Sequence, residues 1–136
     1  MSLIETDVYH ILSDSQELIN KMNEFRGHSL DGDNGIFVDE IKETYIKKEY
    51  APFIRINLIS EINNNYQDDL SQSEDQRVQV SCWANNSKET EELKNIIDRL
   101  LEEHNIEQFY GSRYKDPDIN LKMSVRKYRR IDWKSR

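Results

Sequence analysis

The sequence predicts an α+β protein, an antiparallel β-sheet with two amphipathic helices packed on it, in the order α-β-β-β-α-β-β. Three observations predict it. Gln76 to Ala84 alternates, with Val78, Val80, Cys82 and Ala84 on one face and Arg77, Gln79, Ser81 and Trp83 on the other. A period of two marks a half-buried strand. Just beyond, Leu93, Ile96, Ile97, Leu100 and Leu101 recur at helical spacing. Two further alternating runs, Ile54 to Ile62 and Ile119 to Val125, complete a pattern of amphipathic helices and meandering strands that sorts into one α+β layer.

The elements follow in chain order. Ser2 to about Asn23 reads as a helix, with Ile4, Val8, Ile11, Leu12, Leu18, Ile19 and Met22 on one face. Ser2 and Glu5 have capping-box spacing. Ser13-Asp14-Ser15 weakens the middle and invites a kink or a restart. Arg26 to Gly35 is a loop rich in Gly, Asp and Asn. Ile36 to Ile46 suits a strand or a helical turn; the reading taken is a short strand near Ile36–Val38 and an irregular charged connection up to Tyr50. Pro52 to Ile62 is a strand, with Ile54, Ile56, Leu58 and Ile62 on its apolar face and Pro52 at its start, where a strand tolerates it.

Asn63 to Asp75 is almost devoid of apolar residues and reads as a mobile hairpin loop, either functional or a tolerated insertion. After the strand at Gln76–Ala84, Asn86 or Ser87 is placed to cap the second helix, and Glu89, Glu91 and Glu92 suit the positive end of its dipole. Asn105 is its expected C-cap. Ile106 to Tyr114 is a strand, Lys115-Asp116-Pro117-Asp118 a turn, and Ile119 to about Tyr128 the last strand. Residues 129–136 read as a flexible or partner-held tail of a single domain spanning 1–136.

The chain has 136 residues, enough for one core, and a net charge of −7. Residues 1–118 carry a net −13 and residues 119–136 a net +6. The acidic body argues against broad nucleic-acid binding, because it repels phosphates. The basic end suits either nucleic acid or an acidic surface on another subunit. No apolar run approaches the roughly 20 residues that span a bilayer, so no membrane role is expected. The acidic start, MSLIETDVYH, lacks the basic region of a signal peptide. One cysteine, Cys82, cannot form an internal disulfide and fits a reducing compartment as a buried structural thiol.

The residue types that carry catalysis do not form a pattern. His10, His28 and His104 lack metal-ligand spacing and read as surface or capping residues. Asp31-Gly32-Asp33-Asn34-Gly35 resembles a calcium loop only superficially: starting from Asp31, the twelfth position is Lys42 and the sixth is Ile36. The four glycines form no phosphate cradle. No enzyme activity, metal or cofactor is expected, although a small metal-dependent hydrolase using Asp31 and Asp33 remains a competing class. Phe109, Tyr110, Tyr114 and Tyr128 suit core or cross-strand pairs better than base stacking. Trp83, on the polar face of its strand, would suit a subunit interface as an exposed indole.

The run APFIRINLISE, the long polar hairpin, RVQVSCWANNSKETEELKNIIDRLLEE and the closing DPDINLKMSVRKYRR together resemble the tail terminator proteins (tail completion, or head–tail joining proteins) of long-tailed bacteriophages. The likeness covers nearly the full chain in order and departs most at residues 25–50. What it implies is a structural role without catalysis. Such proteins form a hexameric ring that caps the tail tube, ends its polymerisation and docks to the DNA-filled head. The partners implied are further copies of the chain, the major tail tube protein and a head-completion protein. DNA passes through without specific binding, and an acidic lining would let it slide. The location implied is the head–tail junction of a virion assembled in the bacterial cytoplasm. A closed ring needs head-to-tail contacts, and the candidate interface residues are Trp83, Lys122, Arg126, Lys127, Arg129 and Arg130, with Tyr66, Asp68 and Asp69 on the hairpin. The alternative is a small nucleic-acid-binding module built on Lys122, Arg126, Lys127, Arg129 and Arg130.

Overall fold

The Ser13-Asp14-Ser15 break in the first apolar stripe divides that stretch into two helices. In a computed structural model, which describes residues 3–65 and 72–134, α1 spans Ile4–Ser13 and α2 spans Gln16–Arg26. Ser15 caps α2, its hydroxyl accepting from the Leu18 amide at 3.2 Å. Ser2, expected to open a capping box with Glu5, lies outside the described residues. Leu3 occupies the N-cap position without a side-chain bond, because the helix begins at the fully buried Ile4. That puts Glu5 one position short of the box.

Next come β1 (Ile36–Val38), two short 3₁₀ turns at Glu43–Tyr45 and Lys48–Tyr50, β2 (Phe53–Asn65) and β3 (Gln72–Ala84). They are followed by α3 (Ser87–Glu102), β4 (Glu107–Asp116) and β5 (Leu121–Lys134). The class is α+β, with one five-stranded sheet in the order β1-β2-β3-β5-β4. The sheet is mixed rather than wholly antiparallel, since β1 runs parallel to β2. A parallel neighbour needs a crossover, and α1 and α2 precede β1 without supplying one; the irregular segment 39–52 does so.

One face of the sheet carries the helices. α1 lies over β1 and β2, α3 over β3 and β5, and α2 against α1 and α3. Ile4, Val8, Leu12, Leu18 and Met22 meet Ile54, Ile56, Val78, Val80 and Tyr128 there, with Leu93, Ile96, Ile97 and Leu101 of α3. Each such side chain contributes about 1.5–3 kcal/mol on burial before its entropy loss. Asn86 caps α3, accepting from the Glu89 amide at 2.9 Å. α3 ends at Glu102, with Glu103 as its cap; Asn105 instead turns the chain out with a φ of 60°, while the Ile106 amide donates to the Leu101 carbonyl at 3.0 Å.

The other face has its own, smaller core. Phe37, Ala51, Phe53, Trp83, Leu121, Met123 and Val125 are buried, with Ile41, Tyr45 and Ile119 against them. The segment between β1 and β2 forms its cover. Arg26 anchors that segment, donating from Nε to the Tyr50 carbonyl at 2.9 Å and from a terminal nitrogen to the Pro52 carbonyl at 2.6 Å.

The strands run further than their apolar pattern. β2 continues to Asn65 and β3 begins at Gln72, so most of the expected loop from Asn63 to Asp75 is paired strand. Ser73, Glu74, Asp75 and Gln76 are buried despite their polarity. The expected tail does not start at Arg129 either: β5 pairs with β3 as far as Lys134. The β4–β5 turn falls at residues 117–120, two positions later than its expected start, with Asn120 at a φ of 55°.

Candidate functional site

The alternation of β5 splits its basic run between the two faces of the sheet. Arg126 and Arg130 sit on the helix face with Tyr128. Arg126 reaches Glu91 of α3 at 3.7 Å, and Arg130 binds Asp7 of α1 at 2.7 Å while its Nε donates to Gln76 at 2.8 Å. Gly111, level with Arg126 on β4, leaves the space this guanidinium uses: a Cβ there would stand 2.1 Å from an Arg126 nitrogen. Lys127 and Arg129 lie on the opposite face. Arg129 pairs with Asp75 at 2.8 Å, and Arg77 closes on the same carboxylate at 3.4 Å. The Arg129 hydrogen bond is the main cause that holds the Asp75 carboxyl below its ordinary range.

The basic end of the sequence is thus largely neutralised within its own subunit. Lys115, Lys122 and Lys127 form no ion pair among the described residues. Lys122 and Lys115 join Lys48 around an open cleft of about 410 Å³ beside the start of α3.

Trp83 is not an exposed interface residue. It is 5 % exposed, stacked on Phe53 at 5.4 Å, and its indole N–H donates to Asp116 at 3.0 Å. Arg55 lies over its ring at 5.2 Å. The segment 39–52 covers it, and nothing in the alternation of β3 announces that cover. Tyr66, Asp68 and Asp69 lie outside the described residues.

The exposed aromatic residues are on β4. Phe109, Tyr110 and Tyr114, expected in the core or in cross-strand pairs, are close to half exposed and so outside the core. Two carry cations from other strands: Arg77 of β3 lies 5.1 Å from the Phe109 centroid and Lys127 of the adjacent β5 4.7 Å from that of Tyr110. Leu58, Ile59 and Ile62 on β2 and Ile131 on β5 are also exposed. Leu58 and Ile62 were expected on the buried face of β2. A bulge at Ile59 shifts the register, which turns Ile62 to the face away from the helices, level with Asp75 and Ile131. A second bulge at Phe109 occupies β4 at nearly the same level. Only Tyr128 among the four aromatic candidates is core, its hydroxyl donating to Asp98; burial, then that bond, raises its ionisation well above the ordinary value.

Cys82 is buried, and desolvation pushes its thiol up to about 12, which makes it a poor nucleophile. Among the described residues, no group of three or more His, Cys, Asp and Glu side chains is placed to hold a metal ion. No protein-family model matches the chain, and no curated protein matches it.

The sheet also leaves two edges open. β4 is the last strand on its side. On the other side β1 covers β2 only as far as Ile56, and past that point no described strand pairs with the outer side of β2. Open edges with exposed rings and aliphatic side chains are suited to binding protein chains.

Proposed function

We propose that this chain is the repeating subunit of a ring that caps a bacteriophage tail tube, stops its growth and joins it to the head. The observation that carries this reading is where the exposed apolar residues fall. Among the described residues, seven of the nine large exposed hydrophobic side chains lie on β2, β4 and β5, around the two open edges. Edges of that kind are kept for assembly or are an aggregation hazard. The ordered likeness of the sequence motifs to tail terminator proteins supplies the choice of assembly. The ring would be a homo-hexamer seated on the tail tube protein and facing a head-completion protein, with DNA passing through unbound.

Electron microscopy of the purified chain, alone and with isolated tail tubes, tests this. Six-fold rings, free or on tube ends, are expected. Particles of no defined symmetry, with tubes left uncapped, would overturn it.

A second reading has one specific observation behind it. Arg77 over Phe109 and Lys127 over Tyr110 form a cation-backed aromatic platform on an open sheet face, which suits stacked bases. Salt-sensitive retention of single-stranded DNA, lost in Phe109→Ala and Tyr110→Ala, would favour it over the ring.

A further inference from the structure

Strand directions, side-chain faces and charge make the two open edges complementary to each other. Along the sheet β2, β3, β5 and β4 alternate in direction, so β4 runs antiparallel to β2. Copies offset along the strands by eight residues, the separation of the Ile62–Ile131 row from the Tyr114–Met123 row, and rotated about an axis inclined to the strands keep that alternation. The β2 edge of one copy then meets the β4 edge of the next as one more antiparallel pair, with the helices still on a common face. Each edge carries a bulge, which limits indiscriminate pairing. Regular edge remains over Ser60–Asn65 of β2 and Tyr110–Asp116 of β4.

The side chains agree with this placement. Ile62 and Tyr114 are both about half exposed, and both lie on the face away from the helices. With Ile62 in the row of Tyr114, antiparallel pairing sets Glu61 beside Lys115 and Asn63 beside Arg113 on the helix face. The charged residues on the paired stretches are Glu61 of β2 and Arg113, Lys115 and Asp116 of β4, of which Arg113 reaches Glu91 at 3.9 Å and Asp116 accepts from the Trp83 indole within their own subunit.

We infer that copies of this chain join head to tail through Ser60–Asn65 of one and Tyr110–Asp116 of the next, with Ile62 on Tyr114 and Glu61 beside Lys115. This rests on the ring reading but names its contact. The occupant is a second copy, because each edge supplies what the other lacks: apolar surface on the same face, opposite charge and matching direction.

Sedimentation of the full chain over a range of concentration and salt tests the contact. Glu61→Lys and Lys115→Glu, each alone, place like charges side by side and raise the concentration needed for association by about two- to fivefold per contact. The chain carrying both substitutions recovers the wild-type value. Ile62→Lys and Tyr114→Lys abolish association at concentrations where the wild type associates, with unchanged melting temperature because both positions are exposed. If rings form but these four variants leave association unchanged, the edge contact is overturned and the ring reading stands. If the charge-swapped chain recovers but the particles are open fibres, the contact stands and the ring is overturned. A wild-type chain that stays monomeric at every concentration and forms no rings on isolated tail tubes overturns the contact. So does loss of single-stranded DNA binding in Tyr114→Lys from a protein that never self-associates.

Discussion

The β3–β5 ladder is two structures joined at one row. Above Val78 and Tyr128 it is apolar, with helices on one face and Trp83, Met123 and Val125 under cover on the other. Below that row it is polar and still buried: Gln76 pairs with Arg130, Arg130 with Asp7, and Asp75 with Arg129 and Arg77. The bulges at Ile59 and Phe109 flank the junction, one on each side. The first half is held by area removed from water, the second by hydrogen bonds and ion pairs whose partners are far apart in sequence. The difference shows why an absence of apolar residues is weak evidence for a loop.

Substitutions sharpen that contrast, the apolar half giving the largest effect. Trp83→Ala should cost about 3–5 kcal/mol in denaturant unfolding, since it empties the centre of the small core. A cost below about 1 kcal/mol would mean that segment 39–52 does not cover the ring. In the polar half, Arg130→Ala should cost about 1–3 kcal/mol by leaving Gln76 and Asp7 short of a donor. It should also speed hydrogen exchange in residues 72–76 more than in residues 78–84. Equal exchange in both stretches would erase the distinction between the halves.

At the junction, Tyr128→Phe removes only the hydroxyl that Asp98 accepts. About 0.5–1.5 kcal/mol should be lost in the same unfolding assay, because Lys94 still pairs Asp98 at 2.9 Å. The smallest effect is a pH dependence of the polar half. Asp75 is depressed in the folded state, so its contribution is complete above its unfolded value of about 3.9 and is lost as pH falls through the lower folded value. Acid unfolding of Asp75→Asn should therefore be flatter than wild type below about pH 4. Identical acid limbs would remove the Arg129–Asp75 pair from the account.

The legible part of the fold is the part that repeats. The α3 stripe, the alternation of Ile54–Ile56 and Val78–Ala84 and the Ser15 restart follow from local periodicity and capping, and all are found in place. The candidate site was legible only in composition. Lys122, Arg126, Lys127, Arg129 and Arg130 stand out as a basic run, but a strand sends alternate residues to opposite faces, and the partners Glu91, Asp7 and Asp75 come from three distant segments. The rings of Phe109, Tyr110 and Tyr114 were visible as aromatic residues, while their exposure depends on β4 being an edge, a matter of sheet order.

The sequence by itself determined the type of the strongly periodic elements, the helix-side core and the lone buried thiol, because periodicity and capping act over a few residues. Only the tertiary structure decided that Trp83 is covered, that Ile62 turns outward past a bulge, that residues 63–65 and 72–75 of the polar hairpin are strand and that β2 and β4 are left open. Those outcomes depend on which distant segment comes to lie beside which strand, and short-range pattern carries no record of that.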